Sequence, residues 1–114
     1  MHYKREGGPL HIKSYKFAVR IVKMFLHFTG NDWKLQSIYK QVLRSGTSIS
    51  ANVHESEFAQ SPSDFATKLH IALKEANETM NWLNILHDTD TWTTKASRVW
   101  RRIAVRSLLC LSHL

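Results

Sequence analysis

The chain has 114 residues, a hydrophobic content of 43% and a single cysteine, Cys110. This length fits one domain, and the apolar content suffices for a hydrophobic core, which excludes a largely disordered chain. One cysteine excludes an intramolecular disulfide, so we expect a reducing, cytoplasmic location. No apolar run reaches the ~18 residues of a membrane span and the first residues do not resemble a signal peptide, so we expect no membrane span.

The net charge of +7 is distributed unevenly along the chain. Residues 1–53 carry nine Lys or Arg and two acids, residues 54–90 carry two and seven, and residues 91–114 carry five and none. The middle of the chain is therefore acidic and both flanks are basic. Part of this charge can be neutralised inside the fold, and the remaining basic charge points to an anionic partner.

A flexible leader is predicted over residues 1–10, because Gly7-Gly8-Pro9 opposes a helix, and a single bundle domain over residues 11–114. The first helix is predicted over residues 12–29 and carries two apolar stripes of the same period. The main stripe is Tyr15, Ala18, Val19, Val22, Phe25 and Leu26, and the second is Phe17, Ile21, Met24 and Phe28. Two stripes indicate burial on two sides, either against the bundle and a neighbouring chain or deep within a monomer.

Gly30 and Asn31 predict the end of that helix, and Asp32 can cap a second helix from about residue 33 to residue 57. The middle of this helix contains the sequence SGTSISA at residues 45–51, which by propensity alone would be a loop. Small residues also let two helices approach closely. We therefore predict a continuous helix with a tight crossing point at this run.

The third helix has the clearest start signal, with Ser61 as N-cap, Pro62 at the first helical position and Asp64 completing a capping box. Its apolar seam is Phe65, Leu69, Ala72, Ala76, Thr79, Leu83 and Leu86. A turn is predicted over residues 87–90 and a fourth helix over residues 94–111. Because the connections are short, the fold class predicted is all-α, an antiparallel up-down-up-down four-helix bundle.

Several phrases carry a resemblance to a known family. They are SYKFAVRIV at residues 14–22, LRSGTSI at 43–49, ANV at 51–53 and IALKEANET at 71–79, followed by Trp82-Leu83. The chain resembles the four-helix bundle proteins encoded in intervening sequences of bacterial 23S ribosomal RNA, a group related to the accessory variability proteins of diversity-generating retroelements. The chain departs from the family pattern in two places. Position 50 is serine, where the family usually has glycine, and the charged residues of 91–114 are all basic.

The resemblance implies a homopentamer of antiparallel bundles with a basic exterior that binds nucleic acid. For retroelement members it also implies binding to a reverse transcriptase. It brings no catalytic motif. The residues themselves agree, because neither Cys110 nor any serine has a recognisable catalytic base, and we expect no enzyme activity.

Seven histidines raise the question of a metal, but no Glu-x-x-His pair of the di-iron bundles occurs. His54 beside Glu55 does not put two ligands on one helix face, so we expect neither a metal nor a cofactor. Glu75 and Glu78 are predicted to form ion pairs with a basic helix.

Rows of basic residues at helical spacing are the main functional signal. Each row alone fits a solvated helix face, whereas three rows without compensating acids indicate binding to phosphates. The predicted nucleic-acid contacts are Lys16, Arg20, Lys23, Lys40, Arg44, Arg98, Arg101, Arg102 and Arg106. We expect RNA or another polyanion to bind with little sequence preference. The alternative is a protein interaction scaffold without a nucleic-acid ligand, built on the second stripe of the first helix and the four tryptophans.

Overall fold

The structure, a computed structural model, describes residues 8–28, 33–89, 98–99, 101–102 and 104–106. The described residues form α1 (Pro9–Phe28), a short 3-10 turn (Trp33–Leu35), α2 (Gln36–Ser56) and α3 (Pro62–Asp88). Residues 98, 99, 101, 102 and 104–106 are also helical and are called the C-terminal helical segment. No strand occurs within these ranges, so the all-α class is confirmed. Outside the described residues lie residues 1–7 of the predicted leader, the predicted helix end and cap at 30–32, residue 90 of the predicted turn, and residues 94–97, 100, 103 and 107–111 of the predicted fourth helix.

Helix α1 begins at Pro9, three residues earlier than predicted, and buries the stripe that we predicted as its second one. Phe17, Ile21 and Met24 are almost completely buried, together with the more N-terminal His11 and Ser14 on the same side. The predicted main stripe is divided: Val19 is 37%, Val22 39% and Leu26 71% exposed, whereas Tyr15, Ala18 and Phe25 are half-buried. The alternative in which α1 is deeply buried on all sides within a monomer is therefore wrong.

Helix α2 runs without interruption through the run of small and hydroxyl residues, as predicted. The hydroxyl groups of Ser45, Thr47 and Ser48 donate to the carbonyl oxygens four residues earlier, at 2.9, 2.7 and 2.7 Å. Because these groups are satisfied within the helix, they do not need a loop conformation to find partners.

Helices α1 and α2 approach each other closely at Gly46. A Cβ atom added to Gly46 would lie 3.0 Å from Cγ1 and 3.1 Å from Cγ2 of Ile21. Any side chain at position 46 would thus press on the buried stripe of α1, which explains a glycine in the middle of a helix at a cost in helix propensity. This confirms the tight crossing point; position 50 in the same helix holds a half-buried serine.

Helix α3 starts with the predicted cap. Ser61 is extended, with φ −159° and ψ 163°, and its Oγ accepts a hydrogen bond from the backbone N–H of Asp64 at 3.0 Å. The carboxylate of Asp64 accepts from the backbone N–H of Gln60 at 3.2 Å, one residue before the cap, and so differs from the predicted capping box, in which it would accept from the N–H of Ser61. The helix ends at Asp88, so two residues of the predicted turn are helical.

The seam of α3 is buried from Ala72 to Leu86, whereas its first members are not. Phe65 is 45% exposed, and with Leu69 it borders an apolar depression of about 370 Å³. Farther along, Thr79 is buried against α2 and lies 2.8 Å from the Oγ of Ser45, a polar contact inside the core. None of the helices in the described ranges is long and apolar enough to cross a membrane.

Candidate nucleic-acid interface

One basic row follows the exposed side of α1. Lys16, Arg20 and Lys23 are all exposed, and each directly precedes a residue of the buried stripe. Consecutive helical residues are about 100° apart, so this row borders the core side and faces solvent. Within the described part of the chain, no carboxylate lies within 4.0 Å of these three side chains. Their charge is therefore available to an anionic ligand.

The basic residues of α2 differ from each other. Lys40 is exposed. Arg44 is ion-paired with Glu75 of α3 at 3.4 Å and with Glu78, and its Nε donates to Gln41 at 3.1 Å. The predicted ion pairs of the two glutamates are thus observed. Arg44 links α2 to α3, and its charge is compensated before any ligand binds.

The C-terminal arginines surround one depression. A concavity of about 500 Å³ is lined by His87, Arg98, Arg101, Arg102, Val105 and Arg106. Arg98, Arg102 and Arg106 are exposed and four residues apart, and Arg101 is half-buried. No acidic residue is among the described residues that line this concavity.

Guanidinium groups in such a position suit phosphate oxygens, because each presents a planar fork of N–H donors that can bind two oxygens at once. The end of α3 contributes His87 to the same depression, which the sequence analysis did not predict. The α1 row does not contribute to the lining. Most of the predicted contact residues therefore fall on two surfaces, the α1 row and this arginine depression. Lys40 and Arg44 lie apart from them, on α2.

The structure also gathers three residues that the sequence analysis did not recognise as a group. Ligand atoms of His11, His54 and Glu57 all lie within 4.8 Å of one another. The sequence contained one signal for this, because His54 and Glu57 are three residues apart and so share a helix face. That spacing is the reverse of the Glu-x-x-His pattern of di-iron bundles, and nothing in the sequence placed His11 beside it.

A comparison with protein families gives a match over residues 10–108 to the family described as 23S rRNA-intervening sequence protein. The match extends beyond residue 90 into the basic segment, although this segment departs from the pattern we expected for the last helix. A comparison with curated proteins gives no match.

Among solved structures, the chain is similar to a protein with unknown function from the S23 ribosomal protein family of Bacteroides thetaiotaomicron, whose crystal structure was determined at 1.70 Å resolution. The sequences are 45% identical, the TM-score is 0.75, and the similarity covers 90% of this chain and 94% of the other. At this identity and coverage the two chains share a fold over nearly their whole lengths.

Proposed function

Since this chain belongs to the family of 23S rRNA-intervening sequence proteins, we propose that it is a non-enzymatic bundle protein that binds structured RNA through its basic surfaces. The contacts are to phosphates and carry little sequence preference.

The arrangement of four helices is antiparallel, up-down-up-down. Pairs between α2 and α3 support this order, because Arg44 meets Glu75 and Glu78 whereas the later Glu55 meets the earlier Lys68.

The observation that carries the proposal is the arginine depression. Four arginines and a histidine line one concavity; the described part of that lining contains no acid, and the neighbouring carboxylate of Asp88 contacts His87 at 3.1 Å. An arrangement of this kind concentrates positive potential in a cleft and favours an anion over bulk water. The α1 row, with its three uncompensated side chains, extends the basic surface and supports contacts to more than one phosphate.

Fluorescence anisotropy with a labelled 23S ribosomal RNA hairpin, at 50 and 200 mM salt, tests the proposal. If about six phosphates are contacted, affinity should fall on the order of a thousandfold between these concentrations, because bound counterions are released. A hairpin of unrelated sequence and equal length should bind almost as well. Absence of binding at 50 mM salt, or binding that salt does not weaken, overturns the proposal and favours the protein interaction scaffold.

Charge-matched variants locate the contacts. The double variants Arg20→Gln/Lys23→Gln and Arg102→Gln/Arg106→Gln each lower the net charge by two, as does the single control Lys74→Glu on an exposed position of α3. Each double variant should reduce the slope of log affinity against log salt by about 1.4–1.8. The control should leave that slope unchanged. Equal losses in all three would mean that only net charge matters and that neither surface is the interface.

The proposal includes self-association through α1. Val19, Val22 and Leu26 form an exposed apolar row in one chain. A second copy of the chain is the partner we propose, and five copies is the number that the family resemblance implies. Repetition of the basic surfaces around a ring would increase the avidity for RNA. A reverse transcriptase, the partner implied for retroelement members, is a further candidate for the same apolar row.

Light scattering coupled to size-exclusion chromatography tests the assembly, with Val22→Asp as variant and Leu73→Asp as control. The two positions match in exposure, at 39% and 40%, but lie on different helices. The wild type and the control should give five times the 13.3 kDa chain mass, and Val22→Asp should give a single chain. A monomeric wild type, or an oligomer that survives Val22→Asp, refutes this interface.

A further inference from the structure

The first turn of α1 and the last turn of α2 meet at a cluster of metal-ligating side chains. His11 is in the first turn of α1 and is only 3% exposed. His54 belongs to the last turn of α2, and Glu57 is the residue that caps this helix. Among the residues that the structure describes, these three form a group whose ligand atoms all lie within 4.8 Å of one another.

The separations fit one small cation. Zinc bonds to imidazole nitrogen and carboxylate oxygen at about 2.0–2.2 Å, so two ligands of a tetrahedral site are about 3.4 Å apart. His11 Nδ1 and Glu57 Oε1 are 3.3 Å apart. Two imidazoles on one tetrahedral zinc have centroids about 5 Å apart. The His11 and His54 centroids are 5.5 Å apart, and the rings are tilted by 49°.

We propose that His11, His54 and Glu57 bind a divalent transition-metal ion, for which Zn²⁺ is the best match. Two imidazoles and one carboxylate are a donor set that zinc uses when a fourth position is left to water. Mg²⁺ and Ca²⁺ prefer sites made only of oxygen ligands, so the two nitrogen donors disfavour them. His54 is half-buried and the Glu57 side chain is 32% exposed, which leaves this fourth position on the solvent side.

The surroundings hold the ligands in place. Phe58 contacts the ring of His54 edge-on, with centroids 5.3 Å apart. The helix backbone fixes His54 and Glu57 on one face of α2, and burial fixes His11. Bringing the ligand atoms from at most 4.8 Å to bonding separation requires only side-chain rotation of the two more exposed residues. A bound ion would tie α1 to the end of α2.

The test is a calorimetric titration of the full, tag-free chain with ZnCl₂ after removal of metal by chelation. The variants are His54→Gln and Glu57→Gln, because replacing the buried His11 could unfold the protein. The matched controls are His70→Gln and Glu55→Gln, which remove an exposed histidine and an exposed acid outside the cluster. Circular dichroism establishes that all four variants remain helical.

Wild type and both controls should bind one Zn²⁺ per chain, and each ligand variant should bind at least about 100-fold more weakly. Bound Zn²⁺ should also raise the unfolding temperature of the wild type and the controls, because it binds only the folded chain, and should not raise that of the ligand variants. Co²⁺ should give the visible absorption of a four-coordinate site in the proteins that bind Zn²⁺, and not in the ligand variants. No stoichiometric binding, or equal affinity in His54→Gln and His70→Gln, overturns the site and leaves a histidine–carboxylate pair.

Discussion

The substitution Gly46→Ala should destabilise the protein although it improves helix propensity. Alanine is favoured over glycine by about 1 kcal/mol in a helix interior. The new Cβ would lie 3.0 and 3.1 Å from the two Cγ atoms of Ile21, which is 2% exposed and β-branched and so has few rotamers to adopt. Overpacking of this kind costs about 1–3 kcal/mol. We expect a net loss of about 1 kcal/mol in the free energy of unfolding.

The effect should reverse sign when the opposing side chain is shortened. Ile21→Ala removes both Cγ atoms and by itself should cost about 2–5 kcal/mol. In that background only the Cβ atom of position 21 remains near the new Cβ, at 3.4 Å, which is an ordinary van der Waals contact, so Gly46→Ala should stabilise by about 1 kcal/mol. The double-mutant cycle should therefore give a coupling energy of about 2 kcal/mol between the two positions.

Urea unfolding followed by circular dichroism measures all four members of the cycle. The protein concentration must be held constant, because self-association would make the stability depend on it. Asn77→Ala, at an exposed position of α3, controls for helix propensity and should stabilise slightly. Stabilisation by Gly46→Ala in the wild type, or the same effect in both backgrounds, would refute the close approach of α1 and α2 at this position.

Three further predictions concern the contacts around α3. Ser61→Ala removes the N-cap and should cost about 1 kcal/mol by urea unfolding, whereas Ser63→Ala, two residues later, should change little; equal losses would exclude the cap as the cause. Thr79→Val removes a buried hydroxyl that lies 2.8 Å from both Ser45 Oγ and the carbonyl oxygen of Glu75, and should cost about 1–3 kcal/mol; a neutral result would show that neither hydrogen bond contributes to stability. Arg44→Gln should lower the salt slope of RNA binding by clearly less than one, because two glutamates already compensate this charge. A full unit would show that these ion pairs open on binding.

Local signals in the sequence predicted the helices well where a few neighbouring residues decide the outcome. The start of α3 depends on Ser61, Pro62 and Asp64, which are adjacent in sequence, and the structure has that cap. The continuity of α2 through residues 45–51 depends on hydroxyl groups that bond within their own helix. In both places each polar group has one partner that is at most four residues away.

The buried side of α1 could not be chosen from the sequence. Both apolar stripes have helical period, and the more apolar-looking one contains Val19, Val22 and Leu26, which the structure exposes. The choice depends on which residues α2 places opposite α1, and the absence of a side chain at Gly46 leaves room for Ile21. In α1 the buried stripe is the one that fits α2, although the other stripe has more apolar residues.

The candidate sites were predictable to different degrees for the same reason. Exposure of Lys16, Arg20 and Lys23 follows from charge and period, and the structure has them exposed. The compensation of Arg44 depends on which face of α3 meets α2. The approach of His11 to the end of α2 depends on how two helices that are distant in sequence pack together. The periodicity of either helix therefore does not predict it.

The distribution of charge explains why the outer surface is basic. Every described acidic side chain already has a partner within the chain: Glu55, Glu75 and Glu78 in ion pairs, Asp64 at the start of α3, and Glu57 and Asp88 beside histidines. Most of these contacts hold helices or helix ends together, so they cannot also compensate the α1 row. Packing thus uses the acidic side chains together with Arg44, and it leaves the α1 row for the proposed RNA contacts. Ionic strength should consequently change RNA affinity strongly while altering the packing of α2 on α3 little, because that packing has an apolar core beneath its ion pairs.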